Sequence, residues 1–300
     1  MIQKLGSGTY GTVYRPYPIS CHQTRSLTPP RNYIGKISND RTASQQDYKR
    51  LQKIRKMIDP AQFFTIPLKA ICKKSPANDA NIYWRSGNIE YVFPYGGISY
   101  DRLSYKKIRK NPLCVKYLFL SFHPIIRGLM EMRKRNIMHL DIKPPNLVYN
   151  IETNETRLID YDLMVDVVTF EKRFIVENAF RDTFYIYWPP EINFNENINA
   201  ATPPSPYSYN TQTPFGKNLI PYLTQYKQTS VYKKNEYIPS RFDIYSLGIV
   251  WAELFWDTVP EIWGLTQQMM HFDPRKRMTV SQLHDAYFNI FNSIIKEISD

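Results

Sequence analysis

The sequence predicts an α+β fold in two parts, a small β-rich N-terminal part and a larger, mainly helical C-terminal part. Up to Tyr95 the apolar residues form short runs of strand length between turn signals. Beyond Gly96-Gly97 they recur at spacings of three and four, which is typical of amphipathic helices. The two glycines predict a hinge, so we expect one part at 1–95 and the other at 96–300.

The chain is predicted to begin with a strand, a glycine turn and a second strand over residues 2–15. Leu5 and Val13 flank the turn Gly6-Ser7-Gly8-Thr9-Tyr10-Gly11. Glycine has no Cβ and permits positive φ, so this turn would let the backbone approach a phosphate group. A plain β-turn explains the same pattern. A dinucleotide-binding fold is disfavoured, because a strand and not a helix follows the glycines.

The remaining N-terminal elements are predicted as strand, helix, strand and strand. The strands are Tyr33–Ile37, Phe63–Leu68 and Ile89–Tyr95. The helix covers Ala43–Ile58, where apolar residues lie three or four apart, and Pro60 ends it.

The C-terminal part is predicted to contain three helices and a hairpin. One long amphipathic helix is expected over Leu113–Arg135. A short hairpin pairs Leu147–Tyr149 with Arg157–Asp160, and the other helices are Phe242–Phe255 and Val280–Ile298.

The stretch at 193–240 predicts an insertion, since it is rich in Asn, Thr, Pro, Ser and Tyr. Long loops of this kind in compact domains are usually functional or disordered.

Composition excludes several classes of protein. Hydrophobic residues make up 43% of the 300 residues, so the chain is expected to be globular. Its three cysteines are far apart and odd in number, which favours a reducing compartment over a disulfide framework or zinc site. No signal peptide is expected, and the best apolar run, Leu113–Phe122, is short for a membrane span. The net charge of +12 indicates solvated basic helix faces or, alternatively, an anionic partner; nucleic acid is the less favoured partner.

The chemistry concentrates in His139-Leu140-Asp141-Ile142-Lys143-Pro144-Pro145-Asn146 and in Leu158-Ile159-Asp160. Phosphoryl transfer from ATP needs a carboxylate that holds the acceptor hydroxyl, and a carboxylate with an amide oxygen that hold Mg²⁺. It also needs a cation where negative charge develops. The two segments contain all of these groups.

These segments resemble the catalytic loop and the metal-binding segment of eukaryotic-type protein kinases. The order of elements resembles the bilobal kinase fold over nearly the whole chain. Lys143, two residues after Asp141, favours the serine/threonine type. The resemblance implies ATP with Mg²⁺ or Mn²⁺ as cofactors, and a protein substrate with a Ser or Thr acceptor. Asp141 would then orient the hydroxyl and take its proton, Lys143 would neutralise the phosphoryl group, and Asn146 and Asp160 would bind the metal.

The resemblance also implies a nucleotide site in the N-terminal part. Lys36 would pair with the α- and β-phosphates, although a surface lysine is the alternative. Asp47 replaces the usual glutamate partner of that lysine; otherwise it is a solvent-facing residue that favours the helix dipole. Phe93 would gate the pocket behind adenine, and the backbone of Pro94 and Gly96 would bond the adenine edge. The nucleotide-binding residues implied are Leu5, Gly6, Gly8, Gly11, Val13, Lys36, Asp47, Phe93, Pro94 and Gly96.

Four further positions are implied to be structural. Glu191, in Trp188-Pro189-Pro190-Glu191, should pair with Arg277, and Asp243 should hold the catalytic loop's backbone. His139 is expected to pack and to hydrogen-bond within the loop, a role favoured over that of catalytic base.

Three departures from the kinase pattern are visible. Leu140 replaces the arginine that commonly receives an activation-loop phosphate, so activity should not depend on such a phosphate. Asp162 replaces the glycine that usually follows the metal-binding Asp by two residues. A helix that usually follows Trp256 should be reduced or missing.

Two alternatives remain open at this point. A pseudokinase, a binding module with the same fold, is favoured by Asp47, Leu140 and Asp162. A small-molecule kinase should lack the Trp-Pro-Pro-Glu segment and Arg277. The motif combination also resembles divergent kinases of large DNA viruses, which implies an intracellular protein of the host cytoplasm or the virion.

Overall fold

The chain divides into two compact units, Met1–Gly97 and Ile98–Asp300, and its described residues include both strands and helices. The computed structural model describes residues 3–8, 11–15, 33–38, 69–72, 89–161, 163–172, 186–193, 238–256, 258–271 and 273–300. The combination of strand and helix predicted from the sequence is confirmed.

The first unit contains a five-stranded antiparallel sheet in the order β1-β2-β3-β5-β4. Its strands are β1 Gln3–Gly8, β2 Gly11–Arg15, β3 Tyr33–Ser38, β4 Lys69–Cys72 and β5 Ile89–Pro94. The strands predicted on both sides of the glycine turn, at Tyr33 and at Ile89, are confirmed.

Two predictions for this unit fall on residues that the structure does not describe. They are the helix Ala43–Ile58 and the strand Phe63–Leu68. β5 pairs with β3 on one side and with β4 on the other, and β4 begins at Lys69, one residue after the predicted strand ends.

The second unit is mainly helical and carries two small sheets. The strands are β6 Ile98–Ser99, β7 Ile137–Met138, β8 Leu147–Asn150, β9 Glu155–Leu158 and β10 Val165–Asp166. The helices are α1 Tyr105–Arg109, α2 Pro112–Leu120, α3 His123–Lys134, α4 Val167–Phe170, α5 Pro190–Asn193, α6 Phe242–Phe255, α7 Pro260–Met269 and α8 Val280–Ser299. The sheets have the orders β6-β8-β9 and β10-β7, and β8–β9 is the predicted hairpin.

The prediction of one long helix over Leu113–Arg135 is wrong, because two helices cover this stretch. The first ends at Leu120, and Pro124 lies in the first turn of the second. Proline has no N–H to continue a preceding helix, but it fits the first turn of a new one. Together the described run Pro112–Lys134 is long and apolar enough to cross a membrane, and 61% of its most apolar window is buried inside the unit. A core helix has the same property.

The centre of the second unit is α6, in which every residue is buried. A helix that is apolar all round belongs inside a core. Gly248 lets the next helix approach closely, since a Cβ at this position would lie 2.9 Å from Met270 Cγ. That next helix is α7, so the expectation of a reduced or missing helix after Trp256 is wrong as stated.

Candidate active site

Three of the residues predicted to be functional meet in the loop between β7 and β8. Asn146 Nδ2 donates to Asp141 Oδ2 at 2.7 Å and to the Asp141 carbonyl oxygen at 3.0 Å. Lys143 Nζ lies 2.9 Å from the same Oδ2. A 3₁₀ turn at Pro144–Asn146 returns the chain toward Asp141, so the spacing of five residues is what brings amide and carboxylate together. The Asp141 carboxylate is therefore held in one orientation by two donors.

Burial sets the protonation behaviour of Asp141, whose side chain is largely enclosed. Desolvation raises the pKa of this carboxyl, the Lys143 ammonium opposes the rise, and the charge of Asp160 adds to it. A carboxylate with a raised pKa is a better proton acceptor, which suits a general base.

Asp160 follows β9 and differs from Asp141 in its surroundings. Its backbone has a φ of 65°, in the left-handed region. Its Oδ1 is buried and accepts no hydrogen bond from any described residue. A buried oxygen of this kind is unfavourable unless another group satisfies it.

The donor set fits a magnesium ion. Because Nδ2 of Asn146 is bonded to Asp141, its Oδ1 is the atom available for a cation, and Asp160 Oδ1 is the second oxygen. Within the described ranges no cluster of three His, Cys, Asp or Glu residues could hold a metal alone. Mg²⁺ commonly takes one or two carboxylates and completes its shell with substrate phosphates and water.

The catalytic loop is anchored to the start of α6. Asp243 accepts the backbone N–H of His139 at 2.8 Å and that of Leu140 at 2.9 Å, one on each carboxylate oxygen. Burial raises the pKa of Asp243 to about 6, and the two hydrogen bonds oppose this rise. The predicted role of Asp243 is confirmed by this geometry.

His139 and Tyr161 form the inner wall of the loop. The Nδ1 of His139 accepts the N–H of Asp141 at 3.3 Å, and burial lowers the pKa of the imidazole to about 4. The ring is therefore neutral at pH 7, in agreement with a structural role. Tyr161 packs edge-on against it, with ring centroids 5.4 Å apart, and donates its hydroxyl to the Leu158 carbonyl at 2.6 Å.

The Trp-Pro-Pro-Glu segment is fixed by the expected ion pair. Glu191 and Arg277 form a two-pronged contact at 2.7 and 2.9 Å, and both side chains are buried. Arg277 Nε also donates to the His271 carbonyl at 3.1 Å. Such planar pairing is the strongest geometry for an Arg–carboxylate pair.

In the first unit the sheet register brings together several residues that the sequence predicts to bind nucleotide. Gly6 lies opposite Val13, and Val13 lies opposite Lys36 on the next strand. The register of β1 shifts between Lys4 and Gly6, which places an irregularity at Leu5. Gly8 pairs with Gly11 at the turn, and Phe93 lies opposite Ile34.

Not every predicted position can be placed. Asp47 and Asp162 lie outside the described residues, so both remain predictions. The backbone of Pro94 ends β5, and Gly96 behind it is buried.

Sequence reasoning missed two contacts beside the site. The indole N–H of Trp188 donates to the Leu140 carbonyl at 3.0 Å. Glu253, on α6, is buried near Arg109 and lies 3.4 Å from the Tyr187 hydroxyl. A buried tryptophan N–H needs an acceptor, which signals that a contact exists but not with which residue.

No model of a known protein family matches the chain. The chain is similar to a probable cyclin-dependent serine/threonine-protein kinase of Dictyostelium discoideum, with 26% identity over 150 residues, which is 50% of this chain and 9% of that protein. It is similar to Misshapen-like kinase 1 of Rattus norvegicus, with 24% identity over 204 residues, 67% of this chain and 14% of that protein. It is also similar to the chloroplastic serine/threonine-protein kinase STN8 of Arabidopsis thaliana, with 27% identity over 160 residues, 53% of this chain and 27% of that protein.

These relatives are all named as kinases, and the matched stretch is much less than two thirds of each of them. The similarity is weak and partial. It implies a kinase fold and supports a kinase-like function.

Proposed function

We propose that this chain is a serine/threonine protein kinase that transfers the γ-phosphate of ATP to a protein hydroxyl. The observation that carries the proposal is the arrangement of Asn146 and Lys143 around one oxygen of Asp141, a carboxyl that also feels the charge of Asp160. The distant kinase relatives support the same class of function.

In the second unit, four residues have roles in this proposal, namely Asp141, Lys143, Asn146 and Asp160. Asp141 accepts a hydrogen bond from the acceptor hydroxyl and takes its proton as the new P–O bond forms. Lys143 neutralises charge on the transferring group, and Asn146 and Asp160 would hold the metal. Mg²⁺ would supply charge neutralisation at the phosphates and align them for in-line transfer.

In the first unit we assign the nucleotide to the residues around the glycine turn. Lys36 would pair with the α- and β-phosphates, and Asp47 would hold the lysine. The remaining contacts would come from Leu5, Gly6, Gly8, Gly11, Val13, Phe93, Pro94 and Gly96.

The proposal is tested by incubating the purified chain with γ-labelled ATP, Mg²⁺ and generic protein acceptors, followed by phosphoamino-acid analysis. We expect phosphoserine and phosphothreonine, at a turnover of about 1–100 s⁻¹ on a good substrate. Asp141→Asn should lose roughly 10²- to 10⁴-fold, the typical contribution of a positioned base. Asp285→Asn, an exposed carboxylate on α8, is the matched control and should retain full activity.

The second candidate is a pseudokinase that binds nucleotide or acts as a scaffold. Leu140 favours it, because the side chain that commonly contacts an activation-loop phosphate is absent from the loop. The same assay separates the two, since a pseudokinase would label neither itself nor any acceptor.

A further inference from the structure

The peptide group between Leu140 and Asp141 is held at both of its ends. Its carbonyl oxygen accepts the indole N–H of Trp188 at 3.0 Å, and its N–H donates to Nδ1 of His139 at 3.3 Å. A peptide group is planar, so fixing its oxygen and its nitrogen fixes the direction in which the chain enters Asp141.

Leu140 itself has an unfavourable backbone conformation. Its φ is 65°, in the left-handed region that side chains with a Cβ seldom adopt. Such a residue persists only where its surroundings hold it firmly. Here Asp243 holds the N–H of Leu140 and Trp188 holds its carbonyl, so two separate segments keep the strained turn in place.

The surroundings of this turn are apolar. The Leu140 side chain is fully buried in a cluster that we call the Leu140 cluster, formed by Met138, Leu140, Phe170, Trp188 and Phe242. The rings of Trp188 and Phe242 lie 6.2 Å apart, and those of Phe170 and Phe242 lie 5.8 Å apart. In a dry environment a hydrogen bond is stronger and its loss is felt more.

Trp188 is in turn held by the body of the second unit. Three residues later Glu191 pairs with Arg277, and one residue earlier the Tyr187 carbonyl accepts the hydroxyl of Ser246 at 2.6 Å. The indole N–H of Trp188 therefore links the Leu140–Asp141 peptide to the position of segment 186–193.

We propose that Trp188 is a positioning residue for Asp141. The orientation of the Asp141 carboxylate then depends on the position of segment 186–193. The inference rests on the proposed function and adds a regulatory element to the same site. The link consists of a neutral hydrogen bond and ring packing, so it needs no phosphate to form.

The test replaces Trp188 by Phe, which keeps an aromatic ring but removes the N–H donor. Trp263→Phe, the same change at a partly buried tryptophan that packs on Trp256, is the matched control. We expect Trp188→Phe to lower kcat about three- to tenfold, the usual effect of one lost hydrogen bond. The KM for ATP should change less than twofold. Trp263→Phe should leave both kcat and the KM for ATP unchanged.

A kcat equal to that of the wild type would overturn the positioning role while leaving the proposed function intact. An inactive wild type would overturn the proposed function and the role together.

A second measurement does not depend on a variant that folds. In the wild-type protein, the indole proton of Trp188 should exchange with solvent at least tenfold more slowly than that of Trp263. Equal exchange rates would show that the hydrogen bond to Leu140 is absent in solution and would overturn the proposal.

Discussion

Two carboxylates flank the loop at 139–146, the buried Asp243 and the partly buried Asp160, and their surroundings differ. Asp243, at the start of α6, accepts one backbone N–H on each of its oxygens. Asp160, just beyond β9, has a buried Oδ1 that accepts no hydrogen bond from the described residues. The two hydrogen bonds offset only part of the desolvation cost of Asp243, because burial still raises the pKa of this carboxyl to about 6.

This difference suits Asp243 to anchoring the backbone of the loop and Asp160 to binding a ligand. A carboxylate satisfied internally stabilises the fold around it, whereas an oxygen with no partner among the described residues is open to an external one. The charge of Asp160 acts on the Asp141 carboxyl, which Asn146 contacts, so the partner that we propose for this oxygen is Mg²⁺. The comparison predicts opposite effects when each carboxylate is neutralised.

Asp160→Asn should have the largest effect on catalysis. Losing one metal ligand removes several kcal/mol of charge stabilisation in the transition state, so the rate should fall about 10³-fold. The unfolding free energy measured without nucleotide should change little, because Asp160 is only partly buried and its Oδ1 accepts no hydrogen bond from the described residues. Denaturant titration together with steady-state kinetics checks both. A stability loss as large as that of Asp243→Asn would contradict the comparison.

Asp243→Asn should instead lower stability first. Hydrogen bonds to a charged group contribute about 1.5–3 kcal/mol each, and an amide can accept only one of the two N–H groups. We expect the unfolding free energy to fall by about 2–3 kcal/mol by that measure. Activity should fall as well, because the Leu140 backbone loses one of the two hydrogen bonds that fix it. If stability is unchanged, Asp243 is an ordinary helix-start residue.

Glu253, on α6, is another buried carboxylate, and its hydrogen bonding is incomplete. Its Oε2 accepts no hydrogen bond within the described part of the chain, and burial raises the pKa of the side chain to about 7. Between about pH 4.5 and 7 the folded protein therefore keeps a proton that the unfolded chain releases. The free energy of unfolding should fall as the pH rises through this window, by at most about 1.4 kcal/mol per pH unit.

Glu253→Gln should remove this pH dependence, because an amide does not titrate. Relative to the variant, the wild type should lose unfolding free energy as the pH rises to about 7, and above that pH the difference between them should stay constant. A difference that does not vary between pH 4.5 and 7 would mean that Glu253 is ionised throughout, held by Arg109.

Activity should change least on removal of phosphate from the enzyme. Leu140 offers no charge for a phosphate, and the hydroxyl of Thr169 is bonded to Asp166 at 2.8 Å. A phosphate on Thr169 would meet that carboxylate, which is repulsive. We expect the initial rate to change less than twofold after complete dephosphorylation. A tenfold drop, reversed by rephosphorylation of Thr169, would show that another cation has taken the arginine's role.

The local pattern of apolar residues in the sequence predicted much of the fold. The bounds of α6 were predicted to the residue, since its apolar run is continuous and Asp243 marks its start. The break before Pro124 was missed because the apolar stripe continues through it. For α7 the signals were present but overlooked, namely a proline in the first turn and apolar residues at Ile262, Leu265 and Met269.

In the candidate site, too, a contact between residues close in sequence was predicted, whereas one between distant residues was not. The Asp141–Asn146 contact follows from a spacing of five residues, so a motif predicts it. The contact between Trp188 and Leu140 joins residues 48 positions apart in the sequence. Such a bond depends on how the Leu140 cluster packs, and a single sequence does not contain that information.

The central claim is that the set around Asp141 and Asp160 performs phosphoryl transfer. The most direct measurement follows one preparation of the wild-type chain in two ways, Mg-ATP binding by calorimetry and transfer of label from γ-labelled ATP, with Asp160→Asn treated identically. The account predicts that the wild type binds and transfers, while the variant loses the Mg²⁺-dependent gain in binding and at least 99% of the transfer, an estimate from the effect of one lost metal ligand. A wild type that binds Mg-ATP yet labels neither itself nor any acceptor would contradict it and leave a pseudokinase.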